Sequence, residues 1–421
     1  MSASERRGTV LVVGGGVTGI SAAVEASEAG CDVVLLERSA FLGGRVAAMH
    51  QYFPKLCPPQ CGLELNLRRL KGNPRVRIHT LCEVSRIEGE PGRYRATVQQ
   101  QPRGVNEHCT GCGACVAACP VERPDSFNYG LGSTRAIYLS QPTSYPLRYV
   151  IDAERCRGAE CGQCLPACPY DAIQLGGQPE TFEVQASAVI WATGWDPYDA
   201  TRLERLGFGK HRNVITNVMM ERLAAADGPT GGRIQRPSDA GAINSVAFVQ
   251  CAGSRDENHL RHCSGVCCLA SLKQAHYLRA QYPEARIEIF YIDIRAPGRL
   301  EEFFTATQAD TRLHLTKGKV ATITEDPATG SLELSVEDTL TGGTVQTTVD
   351  LVVLATGMVP ALRANGQVPG GLRTDASGFL TAVQAEPAML VAGCAKRPAD
   401  VATCVRDATS AVMRALPYCG E

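Results

Sequence analysis

TVLVVGGGVTGISAAVEASEAGCDVVLLE, residues 9–37, decides the fold. Residues 9–13 read as a buried strand of parallel type, because both faces of such a strand are covered and the run stays apolar instead of alternating. Gly14, Gly16 and Gly19 follow in GxGxxG spacing, then the helix-forming run ISAAVEASEAG, then a second strand, DVVLLE, that closes on Glu37, 18 residues after Gly19. Together these parts make a dinucleotide-binding unit: the glycines allow a tight turn and close pyrophosphate approach, the helix N-terminus faces the phosphates, and the carboxylate binds a ribose hydroxyl. Arg38, beside Glu37, is a further cofactor-binding candidate.

The dinucleotide predicted is FAD. Gly43, Gly44 and Arg45 resemble the second phosphate-contacting turn of flavoproteins with two dinucleotide-binding domains. Two later strands, SAVIWATGW and DLVVLATGM, carry the Ala-Thr-Gly ending of that group at Thr193, Gly194 and at Thr356, Gly357. MLVAGCAKRPADVATCVRDATSAVMRAL resembles its closing strand and helix around Gly393, with Cys394 in the place of the usual acid, which puts the ribityl contact in question.

Nineteen cysteines in 421 residues exceed what packing needs, and no secretory signal supports a disulfide framework. Residues 109–120, CTGCGACVAACP, have the C-x2-C-x2-C-x3-C-P spacing of bacterial ferredoxins. Residues 156–169, CRGAECGQCLPACP, repeat it with two extra residues in the first gap. The fourth cysteine of each run ligates the other cluster in such folds. One [4Fe-4S] cluster is therefore assigned Cys109, Cys112, Cys115 and Cys168, and a second Cys156, Cys161, Cys164 and Cys119. Tetrahedral zinc is the alternative for these thiolates.

Cys251, Cys263, Cys267 and Cys268 form a third group at the end of the strand NSVAFVQ, where a nicotinamide-binding domain would carry its own glycine loop. CAGSRDENHLRHCSGVCC lacks the three glycines, so a pyridine nucleotide has no loop there. Either these are inert buried thiols, or they hold a third [4Fe-4S] cluster, with Arg255, His259, Arg261 and His262 making the site electropositive and favouring thiolates. The cluster is the expectation. His259 and His262 are read as supporting polar groups; Cys57 and Cys61, in CPPQC, could be a redox pair, ligands or packing.

The fold class predicted is α/β, a thioredoxin-reductase-like flavoprotein with two dinucleotide-binding domains and an inserted two-cluster ferredoxin domain. Residues 1–105 begin the FAD-binding domain, 106–180 form the insertion, 181–210 resume the FAD domain, 211–350 make a second Rossmann-like domain carrying the cysteine cluster, and 351–421 complete the FAD domain. A net charge of −1 argues against nucleic acid. No run approaches the roughly 18 apolar residues of a membrane span, and MSASERRG leads directly into a strand, so a cytoplasmic protein is expected.

QYFPKLCPPQCGLE, FNYG, RYVID, IWATGWDPYDA, VAFVQCAGSRD, NHLRHCS, CCLASLKQ and YIDIRAPGR resemble the A-type flavin subunits of quinone-interacting membrane-bound oxidoreductase complexes, themselves similar to the A-type subunits of heterodisulfide reductase. The similarity extends over nearly the whole chain. The methanogen protein has an additional N-terminal domain before its FAD loop, which makes the quinone-linked family the expectation here. The resemblance implies that Cys251, Cys263, Cys267 and Cys268 hold a cluster and that Lys273 lies beside the flavin, where a cation would stabilise the reduced form. It implies as partners a second soluble flavin and iron-sulfur protein, a quinone-reactive haem-bearing membrane subunit that ties the protein to the membrane, and soluble adenylylsulfate (APS) reductase. An electron-bifurcating flavin protein fed by hydrogenase or formate dehydrogenase, and a non-catalytic scaffold, are the alternatives.

Overall fold

A computed structural model of the chain describes residues 7–53, 55–362, 368–382 and 386–420. The first six residues, part of the reading against a signal peptide, lie outside them. Arg7–Val13 and Cys31–Glu37 are parallel neighbours at the centre of a five-stranded sheet, with Ala188–Trp191 and Met389–Val391 on one side and Val76–Thr80 on the other. All four pairings are parallel, and Val10, Leu11, Val12, Val33 and Leu35 are completely buried, as continuous apolar runs require. Helices Val17–Glu28 and Val401–Ala415 pack together over this sheet.

A three-stranded antiparallel flap, Cys82–Glu90, Arg93–Gln100 and Glu180–Ala186, adjoins that sheet. Gln100 pairs with Glu180 across it, so the insertion leaves and rejoins the domain at adjacent points. The insertion's own core is small: Val105, Cys115, Ile137, Ala172 and Ile173, with Cys109, Cys119, Cys164 and Cys168 packed against it.

The second domain has a seven-stranded sheet in the order Val214–Thr216, Leu351–Thr356, Ser245–Ala252, Arg286–Tyr291, Leu313–Glu325, Leu332–Asp338 and Thr344–Val349. The first five are parallel and the last two join antiparallel. This corrects the expected boundary at residues 350 and 351. Leu351–Thr356 does not open the returning FAD segment; it is wedged between two strands of the second domain, and Leu351, Val353 and Leu354 are buried in its cores. The return comes after Thr356, through a short antiparallel pair, Trp195–Pro197 with Met358–Pro360, that links the domains.

One buried side chain ties the three parts together. Arg222, on helix Asn217–Ala224, has no exposed surface. It donates to Asn128 Oδ1 at 2.7 Å and lies over the Phe127 ring in the insertion, donates to Ala48 O in the FAD domain at 3.4 Å, and pairs with Asp227 at 3.0 Å in its own domain. A guanidinium suits this place because its fixed fork satisfies several acceptors at once and stacks on an aromatic face. Among the described residues no helix is long and apolar enough to cross a membrane.

Candidate functional site

The glycine loop has the close approaches a dinucleotide cradle needs. Gly14 sits at φ +112°, and a Cβ there would lie 2.3 Å from Ala192 O; one on Gly19 would lie 1.7 Å from Gly14 O. Gly16 instead has open space, with Gly44 Cα, 3.9 Å from such a Cβ, its nearest neighbour. Gly43 N donates to Gly15 O at 2.8 Å, which joins the two turns expected to face the phosphates. Glu37 accepts from Gly15 N at 2.6 Å and from Ser39 N at 2.7 Å, which fixes its carboxylate at the strand end, whereas Arg38 is exposed. Thr193 lies beside Gly14, and its buried hydroxyl has no hydrogen-bond partner among the described residues. An orphaned hydroxyl on the wall of a glycine cradle fits a bound polar ligand, because a buried polar group without a hydrogen bond is costly. Gly194 adopts φ +75°, and Gly393, at φ +62°, faces Thr18, whose Oγ1 would be 2.3 Å from a Cβ there.

Three residues lie elsewhere than the sequence suggests. Arg45 is engaged by Trp195 O at 3.2 Å, the Tyr129 hydroxyl at 3.2 Å and the Asp196 carboxylate, and so clamps the insertion to the link between domains. Thr356 and Gly357 lie against the third cysteine group: Cys267 Sγ donates to Thr356 O at 3.5 Å, and a Cβ on Gly357 would strike Ser254.

The ferredoxin cysteines lie in two neighbouring groups. Cys119 from the first run lines one apolar cavity with Cys156, Cys161 and Cys164 from the second. Cys164 is pushed up by burial and by Cys156, Cys119 and Cys161 beside it. Cys115 is raised to about 11 by burial and then by its neighbour Cys109, with Cys112 also close. Two backbone amides point at sulfur, Gly158 N at Cys156 and Ala172 N at Cys168, each 3.4 Å away. Such bonds tune cluster potentials. A lone zinc would need sulfurs about 3.8 Å apart, from Zn–S bonds of about 2.3 Å in a tetrahedron. Among the described residues no three His, Cys, Asp or Glu side chains converge in that way.

Cys251, Cys263, Cys267 and Cys268 also come together. Cys267 has Cys268, Cys251 and Cys263 as electrostatic neighbours, and Cys251 has Cys268 and Cys263. Cys251, at the strand end, takes a left-handed φ of +56°, rare for a residue with a Cβ. Cys267 and Cys268 open the helix Cys267–Gln281, and Gly265 N donates to Cys263 Sγ at 3.3 Å. Burial raises Cys251 to about 11 and Cys267 further; Arg255, which pairs with Asp293, also bonds to Cys251 and pulls it the other way. Cluster binding at such a site would be coupled to loss of thiol protons, because metal ligands bind as thiolates. His259 Nδ1 meets the Tyr198 hydroxyl at 2.7 Å and His262 Nε2 meets Met358 O at 3.0 Å, supporting roles in both cases.

Lys273, six residues along the same helix from Cys267, is buried and ion-paired with Glu221 at 3.0 Å, and donates to Gln51 O at 2.5 Å. Glu221 also accepts from His50 N at 3.0 Å, Gln274 Nε2 at 2.7 Å and the Tyr277 hydroxyl at 3.4 Å. Sequence reasoning missed Glu221 and Arg222; the adjacent charges in the apolar run NVMMERLAAA were the available signal. Gln250, Ser254, Ser271 and Gln274 Oε1 add buried polar atoms without hydrogen-bond partners among the described residues, on the strand, the cysteine loop and this helix. Cys57 and Cys61 flank the start of helix Pro59–Lys71, with Tyr52 beside both.

Residues 9–57 match the FAD dependent oxidoreductase family and residues 108–172 the 4Fe-4S dicluster domain. The chain is 38% identical over 417 residues to the second A-type iron-sulfur subunit of the CoB–CoM heterodisulfide reductase of Methanopyrus kandleri, covering 96% of this chain and 63% of that one. It is 37% identical to the A-type subunit of the ferredoxin/F(420)H(2)-dependent CoB-CoM heterodisulfide reductase of Methanosarcina acetivorans, covering 98% and 53%. Against the A-type subunit of the H(2):CoB-CoM heterodisulfide,ferredoxin reductase of Methanothermobacter marburgensis the identity is 35%, covering 96% and 63%. The chain thus spans between about half and two thirds of the length of these relatives. In fold it is similar to thioredoxin reductases of Lactococcus lactis, at TM-score 0.53 and 13% identity, and T. acidophilum, at 0.52 and 14%, each comparison covering 98% of this chain and 99% of the other.

Proposed function

From the premise that this chain belongs to the heterodisulfide reductase family of A-type FAD and iron-sulfur oxidoreductase subunits, we propose that it is an electron-relay protein holding one FAD and three [4Fe-4S] clusters. The observation that carries the reading is the cysteine quartet at the end of Ser245–Ala252, where a pyridine-nucleotide reductase has its glycine loop. FAD exchanges electrons in pairs or singly, whereas each cluster passes one. This chain's residues hold and insulate such groups. Gly14, Gly16 and Gly19 leave room for a pyrophosphate, the three cysteine quartets supply soft ligands, and Lys273 with Glu221 sets a buried charge pair on the helix that begins with two of those ligands.

At the finer level the relay runs between a quinone-linked, haem-bearing membrane partner and a soluble acceptor such as APS reductase, with a second flavin and iron-sulfur protein between them. The chain is then cytoplasmic and reaches the membrane through its partners. The names of the relatives favour a second reading, a heterodisulfide-reductase-type assembly with hydrogenase or formate dehydrogenase as electron source. Iron, acid-labile sulfide and flavin are to be counted on anaerobically purified chain; about twelve irons per FAD are expected, and about eight would remove the third cluster. Rapid reduction of the isolated chain by NADH would overturn the relay reading. A co-purifying haem protein selects the quinone-linked assembly, and a co-purifying soluble hydrogenase the other.

A further inference from the structure

Cys394 and Cys404 are two buried thiols that the relay does not use. Cys394 lies in the turn Gly393–Ala395, where the strand Met389–Val391 leaves the sheet, and Cys404 in the first turn of helix Val401–Ala415. Their sulfurs are 3.7 Å apart. Around them pack Met358, Val17 of the glycine-loop helix, Trp195, Ala399, and Val266, the residue before Cys267. The pair therefore sits between the FAD cradle and the third cysteine group.

We propose that Cys394 and Cys404 form a peroxide-reactive dithiol that closes to a disulfide in the wall of the FAD cradle. A disulfide has an S–S length of about 2.05 Å, so the sulfurs must approach by about 1.7 Å from their 3.7 Å separation. Cys394 Sγ donates to Ala399 O at 3.3 Å, which leaves its lone pairs turned to Cys404. When Cys404 loses its proton, the Cys394 S–H can turn to it and the Thr18 hydroxyl stands beside it; these two donors hold Cys404 below the usual thiol range, while the bond to Cys404 and burial drive Cys394 above it. Cys404 is thus the attacking thiol and Cys394 the resolving one.

The step balances with hydrogen peroxide as oxidant. The Cys404 thiolate attacks one peroxide oxygen, the O–O bond breaks, and the departing hydroxide takes a proton and leaves as water. Cys404 is then a sulfenic acid. The Cys394 sulfur attacks it, an S–S bond forms, and the sulfenic oxygen leaves as a second water with the Cys394 proton. Two thiols lose two hydrogens and one peroxide becomes two waters.

Trypsin cuts after Lys396 and Arg406, so the two thiols fall in separate peptides. The whole chain, purified anaerobically with its cofactors, is treated with graded hydrogen peroxide, alkylated and digested without reductant for mass spectrometry. The expected result is one linked peptide pair, Cys394 with Cys404, that separates on reduction, accompanied by a shift of the flavin absorbance band. In Cys394→Ser a sulfenic-acid probe labels Cys404; in Cys404→Ser, Cys394 stays unlabelled. The proposal is overturned if both thiols are still alkylated after peroxide has bleached the cluster absorbance, or if either is linked to a different cysteine. The cross-link is independent of the FAD reading, whereas the band shift rests on it, so failure of one is distinguishable from failure of the other.

Discussion

Lys273 and Glu221 hold opposite charges in a place with almost no solvent, and each has further hydrogen bonds that complete its shell. Removing one partner of such a pair leaves an uncompensated buried charge, at a cost of about 3–5 kcal/mol. Lys273→Met is therefore expected to lose that much stability in urea unfolding, and the double variant with Glu221→Gln to recover most of it; equal losses in both would show that packing, not charge, is what matters. His50, His79 and His276 are each pushed down, chiefly by burial, and so remain neutral in the fold. The unfolded chain takes up these protons near pH 6.5 and the folded chain only below it. Stability present above about pH 6.5 is thus lost as pH falls through that value toward the folded ones. Unfolding midpoints measured from pH 7.5 to 5.5 should decline, and less so in His79→Gln, while a flat profile would contradict the assignment. The cradle glycines and the twelve clustered cysteines were legible as residues because their chemistry imposes spacing. Glu221 and Arg222 were not, because a buried ion pair between distant segments leaves no period in the sequence.

Among elements, the two cysteine runs show why spacing alone falls short of a ligand set. Each run fills one short loop and helix, Ala114–Ala118 or Cys164–Ala167, and Cys119, just after the first helix, lines a cavity with Cys156, Cys161 and Cys164 of the second run. Cys119→Ser should accordingly change the electron paramagnetic resonance signal of the same cluster as Cys161→Ser, and leave unchanged the one altered by Cys112→Ser. Grouping of Cys119 with Cys112 instead would undo the crossed assignment. The strand Leu351–Thr356 is the element the sequence placed in the wrong domain. Its Ala-Thr-Gly ending looks the same as that after Ala188–Trp191, since both strands are fully buried parallel strands running into a link; only pairing partners distinguish them, and pairing is non-local.

For the whole molecule, the three parts differ in what sustains them. The FAD domain and the second domain have large apolar cores, but the insertion is built around one small cluster against which Cys109, Cys119, Cys164 and Cys168 pack. A region that small depends on its metal cores for stability. Stripping iron with a chelator under reducing conditions should expose residues of the 106–180 segment to proteolysis and fast hydrogen exchange, while the five-stranded sheet keeps its protection. Equal loss of protection in both would mean that the clusters support the whole chain. The order of parts was readable from the sequence, since each announces itself by a motif; the way they lock together was not, because Arg222, Arg45 and Tyr129 meet only after folding.

Gln100 and Glu180 face each other across one ladder, so the chain departs and returns on adjoining rungs. The wiring unit therefore behaves as a cassette plugged into a flavoprotein that is topologically complete without it. Excising residues 101–179 and splicing in a tight hairpin turn should leave a folded chain that still binds flavin and has lost the iron of the two ferredoxin-type runs; loss of flavin as well would show that the contacts of Arg222 and Arg45 with the insertion hold the cradle together.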